Sequence, residues 1–599
     1  MKVNLPKNAL QRIQLGQSFA EYDVVRNDPG VFVATPASLV AIQPDNPKCF
    51  FVGRRGTGKT AIAYHILSTN KRAVAITPQV FDLIRLPGTL DEFKDTRQRA
   101  FKSLVCVFER ALLCELAKHW LARKIWTFPD ETTGFTKDRG LIENCDFDNR
   151  VLSLTSEVFD AYRSPNERLW LRQIKRAQEM MDEVNQTRID SRYDFIFLID
   201  RLDEAWDGSD GAVISLMALM HSCVHLRAAC SAIRPYLFLR ENIYTRIRQI
   251  DNEFSRLETS IVFLEWTREK LLELAERRLV RPFSTKPALG GEAWEHFFED
   301  TPTFNSQEEI FHFCENRPRD VLTYITYALE AAVARGARRI GADDVRSARD
   351  RFSTSKLKDL ADEFAENYPS IHLVLQLFYG LSTDYTLPAI ENFIQKLIVD
   401  RRIAEHCATW FFDITAPHRF VELLFNIGFI GVKDGKQYTF KASVGDTAFL
   451  PSIHSNTIVG IHPAYHSALH LRELVLPEIS DEIILQHTGI LEELPAGVSF
   501  DGYQQQLKEL QGRLVKLIPG KEHATEYEEI VGDVIKLCFY RALTNIKPRE
   551  RSHNNVVIRD WIAANRATGG FWAIIREKYK ATQVLWECKN YENLSADDF

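Results

Sequence analysis

The sequence predicts a multidomain α/β protein: a parallel sheet with flanking helices, a helical lid, a winged helix and a smaller C-terminal α/β unit. Three observations predict it. At roughly 150 residues per domain, 599 residues give three to five domains. Short apolar runs at 50–52, 73–76, 195–199, 236–239 and 261–264 alternate with helical stretches, the rhythm of a parallel sheet. Helical stretches at 358–380, 388–399 and 417–426 then precede an Asp434-Gly435 turn between the apolar segments Ile427–Val432 and Gln437–Phe440, a hairpin signal.

Taken in order, Phe50-Phe51-Val52 reads as a strand that ends in a glycine-rich turn and a helix, and residues 73–76 as a second buried strand. Residues 91–190 carry a helical pattern, with 129–150 polar and turn-rich enough to predict a surface loop. Phe195-Ile-Phe-Leu-Ile199 has no polar alternation, so it predicts a central strand buried on both faces. Residues 267–352 read as helices and 476–525 as a charged helical connector. The predicted domains are 1–266 (the core sheet), 267–355 (lid), 356–475 (winged helix), 476–524 (connector) and 525–599 (C-terminal unit).

Composition narrows the function classes. Charge is 75 basic against 81 acidic residues, a net of −6, so any nucleic-acid binding needs a local basic face. The ten cysteines form no C-x-x-C pair, which argues against a zinc ribbon and for a reduced, intracellular protein. The N-terminal segment lacks a signal-peptide core, and no run of about 18 apolar residues predicts a membrane span. A cytoplasmic protein is the expectation.

Gly53-Arg54-Arg55-Gly56-Thr57-Gly58-Lys59-Thr60 fits the P-loop pattern G-x-x-x-x-G-K-[ST] at every fixed position. Each position has a physical demand. Gly53, Gly56 and Gly58 permit the tight backbone, and the backbone N–H groups, including that of Thr57, wrap phosphates. The following helix adds its positive end. Lys59 reaches the β- and γ-phosphates, and the Thr60 hydroxyl joins a Mg²⁺ shell. ATP with Mg²⁺ is the expected ligand, with GTP left open.

Such a site needs a carboxylate at the end of a nearby strand. Asp200, directly after Phe195–Ile199, supplies it, and Asp203 and Glu204 follow as candidates for activating water. Basic candidates for sensing the γ-phosphate are Arg240, after the strand at 236–239, and Arg317 and Arg319 in Asn316-Arg-Pro-Arg-Asp320. The string Asp200-Arg-Leu-Asp203-Glu204 resembles the D-x-x-D-E element of STAND-type signalling ATPases, whereas in AAA-type enzymes the catalytic Glu directly follows the metal Asp. Here that place is Arg201, so Asp203 is the first choice and Glu204 the second.

At the C-terminus, a helical stretch carries Glu528, a strand-like segment 556–562 carries Asp560, and the apolar Val584-Leu-Trp-Glu587-Cys-Lys589 ends in E-x-K. Continued strand alternation would put Glu587 and Lys589 on one face. Asp560 and Glu587 are candidates to share a divalent cation, with Glu528 completing its shell and Lys589 assisting the attacking water. This arrangement resembles the PD-(D/E)xK superfamily of restriction-endonuclease-like nucleases over residues 525–599. The family core continues past E-x-K, whereas this chain stops at Phe599, ten residues after Lys589, so the expected core is truncated.

In the predicted winged helix, Val421, Leu424 and Phe425 look like core and leave His418 and Arg419 on the helix, with Lys433, Lys436 and Lys441 on the wing. In P-loop ATPases of the kind this chain resembles, a winged helix is often an intramolecular clamp or an oligomer contact, and the resemblance implies that role ahead of DNA binding. His466 and His470 at i, i+4 lack the further ligands a metal needs.

The whole string resembles bacterial P-loop ATPases of the STAND/AAA-like group, here over about residues 15–350, fused to effector nucleases of anti-phage defence. The resemblance implies an ATP-regulated, Mg²⁺-dependent DNA endonuclease acting as a homo-oligomer, with a second defence protein as a further partner. The alternative is a signalling ATPase whose C-terminal domain is catalytically dead and only binds nucleic acid or a partner protein. A transport or helicase motor is a weaker third reading.

Overall fold

A computed structural model describes residues 6, 8–16, 23–26, 28–43, 46–78, 98–204, 206, 208–283, 290–399, 410, 417–434, 437–441, 457–476, 500–539, 542–551, 558–567 and 570–591. The chain divides into two compact units, Met1–Pro477 and Glu478–Phe599.

The first unit is built on five strands: β1 (Phe50–Gly53), β2 (Ala73–Ile76), β3 (Phe195–Ile199), β4 (Ile233–Arg240) and β5 (Ile261–Phe263). Their order is β2-β3-β4-β1-β5, and every neighbouring pair is parallel. The apolar runs form strands because both faces are covered. Phe195, Phe197 and Ile199 join one core with Phe50, Val52, Leu237 and Leu239. The helices Arg99–Ala122, Phe147–Arg163, Glu167–Thr187 and Asp210–Ala229 fill that side. Ile196, Leu198, Phe51 and Phe238 point the other way, onto Ile62, Ala63 and Ile66 of the helix Lys59–Thr69. A period of two thus distributes a continuous apolar run between two helical layers.

One helix stands out, and one expectation needs correction. The helix Asp210–Ala229 is long and apolar enough to cross a membrane by length and composition. It is mostly buried, packed on β4 and the helix Arg99–Ala122, which explains its apolar character. The segment 129–150 is not a surface loop. It forms the short helices Gly134–Lys137 and Arg139–Asn144 and buries Phe135, Asp138 and Ile142. Asp138 is buried because the fully buried Arg110 pairs with it at 2.8 Å.

Helices Arg268–Val280, Glu292–Phe297, Ser306–Phe313, Pro318–Ala334 and Ala342–Phe364 occupy the stretch expected to be a helical lid. Beyond it stands a second sheet, β6 (Ser382–Thr386), β7 (Ile430–Asp434), β8 (Gln437–Phe440), β9 (Ile458–Ile461) and β10 (Arg472–Leu476), in the order β10-β6-β9-β7-β8. The antiparallel hairpin β7–β8 follows the helix Pro417–Asn426, whose Val421, Leu424 and Phe425 are buried while His418 and Arg419 are exposed. Lys436 lies outside the described residues. His466 donates or accepts at the Ile461 carbonyl, 2.7 Å away. Among the described residues no group of His, Cys, Asp and Glu is arranged to hold a metal. The nine described cysteines are free.

The second unit pairs helices Phe500–Lys516 and Ala524–Phe539 beside an antiparallel sheet of β11 (Leu543–Arg551), β12 (Ile558–Asn565) and β13 (Gln583–Trp586), with the helix Gly570–Tyr579 between the last two strands. Ile535, Leu543, Trp561 and Ala563 form its small core.

Candidate functional site

The phosphate-binding loop leaves β1 at Gly53 and enters a helix at Lys59. Gly56 (φ +83°) and Gly58 (φ +95°) occupy the left-handed region, where a side chain would be strained. At Gly53 the demand is space: a Cβ there would meet Thr57 Oγ1 at 2.5 Å. The Thr57 hydroxyl donates to the Arg54 carbonyl at 2.8 Å and closes the loop. Lys59 Nζ donates to the carbonyls of Gly53 (2.7 Å) and Arg54 (3.0 Å). Burial pushes the Lys59 ammonium down to about 8, with Asp203 pulling up and Arg240 pushing down.

Sheet order brings the acids to this loop. β4 stands between β1 and β3, and Gly53 is in register with Arg240. Asp200 follows β3, its N–H donating to the Ile76 carbonyl at 3.2 Å. Burial raises the Asp200 carboxyl, and hydrogen bonds from the Thr60 hydroxyl and the Arg201 backbone oppose that rise. Arg201 takes a left-handed backbone (φ +63°), which turns the chain so that Leu202 is buried and Asp203 returns to the cleft. Asp203 pairs with Arg240. Glu204 lines the rim with 60% of its side chain exposed, 3.6 Å from Arg201.

These groups line one cleft of about 340 Å³, which also takes in Asp23, Arg278 and Arg319. Gly53, Gly56, Thr57, Gly58, Lys59, Thr60, Asp200, Asp203, Glu204 and Arg240 therefore gather at one end of the sheet. Arg317 is the exception among the nucleotide-site candidates. It caps the helix Pro318–Ala334 from outside with an extended backbone and is buried against Glu315 and Glu363. Arg319, two residues on, lines the cleft, and its N–H donates to the Gly56 carbonyl at 3.4 Å. Asp23 and Arg278 were not read from the sequence. They meet at 2.7 Å from positions 255 residues apart, a pairing no local pattern announces.

In the second unit the carboxylates take another arrangement. β13 ends at Trp586, so Glu587 and Lys589 lie beyond the strand and pair with each other at 3.5 Å. Asp560 Oδ2 accepts the Cys588 N–H at 2.6 Å. Glu528 sits on the neighbouring helix, its carbonyl accepting from Trp561 Nε1 at 2.8 Å. Burial pushes the Cys588 thiol up to about 12, and the charges of Asp560, Glu528 and Glu587 add to the rise. Asp560 meets the Cys588 amide, and Glu587 directly precedes Cys588 in the chain. Among the described residues no such group is arranged to hold a metal; Asp560 accepts the Cys588 N–H and Glu587 pairs with Lys589.

Parallel sheet, glycine-rich loop and facing acid fit a P-loop NTPase fold. A family model described as the FunZ-associated C-terminal helical domain matches residues 269–361, which hold the helices that follow the parallel sheet. Over 586 residues the chain is 23% identical to the transposon gamma-delta 80.3 kDa protein of Escherichia coli (strain K12), covering 95% of this chain and 82% of that one. It is 25% identical over 152 residues to Allergen Alt a 2 of Alternaria alternata, 25% of this chain and 80% of the other. Among solved structures, Cdc6p of Pyrobaculum aerophilum matches at 10% identity with a TM-score of 0.27, over 75% of this chain and 88% of that one. Orc1 of Aeropyrum pernix, in complex with DNA, matches at 12% and 0.28, over 74% and 95%. Superposition at that level is loose, so the fold assignment rests on the sheet order and the loop.

Proposed function

We propose that this chain binds ATP with Mg²⁺ at the C-terminal ends of β1, β3 and β4, hydrolyses it, and uses the nucleotide state to regulate its C-terminal unit. The supporting observation is the convergence of Lys59, Thr60 with Asp200, and Asp203 with Arg240 in one cleft. Bound magnesium offsets phosphate charge. Thr60 and Asp200 would hold it, offering the hard oxygen donors it takes. Lys59 supplies a cation for the β- and γ-phosphates, and Asp203 is the base for the attacking water. The test is binding of a fluorescent ATP analogue and release of phosphate, with Lys59→Ala as the control. Wild-type protein that binds no nucleotide at millimolar concentration would sink the reading.

For the C-terminal unit we propose metal-dependent DNA cleavage through Asp560, Glu587 and Lys589, with Glu528 in support. The supporting observation is that Asp560 reaches the Cys588 amide, which brings it beside Glu587 and its partner Lys589; a cation there would displace Lys589 from Glu587. The Escherichia coli relative carries the name of a transposon, a DNA element, which supports a DNA partner. Binding of nucleic acid or a partner protein without cleavage is the competing outcome. Plasmid incubated with the protein, ATP and Mg²⁺ or Mn²⁺ separates them: cleavage lost in Glu587→Ala and Lys589→Ala supports the nuclease, and intact plasmid throughout supports binding. Duplex cleavage needs two active sites, so we propose a homo-oligomer. We place it in the cytoplasm, in anti-phage defence alongside a second defence protein. A phage-challenge assay in which Lys59→Ala protects as well as wild type would remove that placement.

A further inference from the structure

Arg54 belongs to the phosphate-binding loop, yet its side chain leaves the loop for a buried cluster. Nη1 donates to Glu315 Oε2 at 3.0 Å, and Nη2 donates to the Ile427 carbonyl at 2.8 Å. Ile427 joins the helix Pro417–Asn426 to β7, so one side chain ties the loop to the winged-helix layer. Glu315 also accepts from the Tyr465 hydroxyl at 2.8 Å and pairs with Arg317 and Lys356. Glu363 accepts the Arg55 N–H at 3.1 Å and pairs with Arg317 at 3.2 Å. Arg54, Glu315, Arg317, Lys356, Glu363 and Tyr465 are all buried. Burial would raise the Glu315 carboxyl, but Arg317, Arg54 and Lys356 hold it well below the carboxylate range.

The main chain of Arg54 is part of the same device. Its carbonyl accepts from both Lys59 and Thr57. A phosphate that draws the Lys59 ammonium away must alter the hold on Arg54, whose guanidinium carries Glu315 and Ile427. A fully buried charge network does not yield one contact at a time, since each loss strands a partner. Gly428 completes the fit: a Cβ there would meet Arg54 Nη1 at 2.7 Å.

We infer that Tyr465 and Glu315 position the phosphate-binding loop through Arg54, and that the winged-helix layer thereby reads whether the nucleotide site is filled. The inference rests on the nucleotide-binding reading above and adds the route by which occupancy leaves the site. The test uses the full chain, a fluorescent ATP analogue with Mg²⁺, and hydrogen exchange with and without Mg·ATP. Wild-type peptides spanning 427–432 and 458–469 should change their exchange on binding. Tyr465→Phe, which removes only the hydroxyl, should weaken nucleotide affinity about 5-fold or more and abolish that change. A merely structural role would lower the melting temperature and leave affinity and response as in wild type, which overturns the inference. Should Tyr465→Phe fail to fold, Arg54→Lys carries the same test from the loop side. Wild-type binding without any response at 427–432 and 458–469 also overturns the inference and spares the nucleotide site. Absence of wild-type binding removes both.

Discussion

Arg240 and Asp203 form an ion pair inside the cleft beside the glycine-rich loop, joining the end of β4 to the acidic loop after β3. On the proposed reading, a γ-phosphate would compete for the same guanidinium and release the carboxylate to take a proton from water. Arg240→Ala and Asp203→Asn should therefore each cut kcat about 10²-fold or more and leave KM little changed. Glu204→Gln should be nearly silent, since that side chain is 60% exposed and faces Arg201. Phosphate-release kinetics on the three variants check this, and a collapse of kcat in Glu204→Gln alone would transfer the base to Glu204.

Lys59 gives the site a pH dependence. Burial brings its ammonium down to about 8, below the ordinary lysine value of 10.5. Below about 8 the group is already charged for phosphate. Above it, the nucleotide-free protein must take up a proton on binding, so affinity should fall about tenfold per pH unit. Titrating the dissociation constant on both sides of the transition checks the sign. Lys59→Ala should bind poorly throughout and lose the pH dependence.

The legible parts of this protein are those whose chemistry is local. Phe195–Ile199 announced a central strand because five apolar neighbours need cover on both faces. The phosphate loop was legible because Gly53, Gly56 and Gly58 each answer a demand within a few residues. Arg317 and Arg319 could not be told apart, since the start of the helix at Pro318 decides which one meets Glu315 and which the cleft. Asp138 looked like loop because its buried partner, Arg110, lies on another helix. The E-x-K segment read as strand through Lys589, but pairing with β12 stops at Trp586. Strands β6, β9 and β10 went unread because their pairing is long-range, as in Asp384 with Gly460.

Arg110 makes a strong stability prediction. Its guanidinium is buried among Asp138 (2.8 Å), Glu157 (3.2 Å) and Gln173 (2.8 Å). Asp138→Ala strands most of that charge and should cost about 3–5 kcal/mol. Arg110→Met combined with Asp138→Ala should recover part of the loss, because Arg110 is no longer left buried alone and Arg176, which also pairs with Asp138 at 2.6 Å, keeps Glu157. Denaturant unfolding followed by the fluorescence of nearby tryptophans measures both, and a double variant no better than the single would show that the ion pair itself holds the helices.

The second unit depends on one close approach. Gly532, on the helix Ala524–Phe539, lies against Trp561 of β12, where an added Cβ would stand 1.9 Å from the indole Cζ2. Trp561 is only 5% exposed, and its Nε1 donates to the Glu528 carbonyl on the same helix. Lys536 lies 4.8 Å over its ring. Gly532→Ala forces helix and strand apart, which should cost about 1–3 kcal/mol by overpacking and free the indole N–H to solvent. The expected readouts are a lower melting temperature and a red-shifted tryptophan emission. Asp560 precedes Trp561 on the same strand, so any DNA cleavage should fall together with the emission shift. Cleavage at the wild-type rate alongside a full red shift would show that Asp560 has no part in the chemistry.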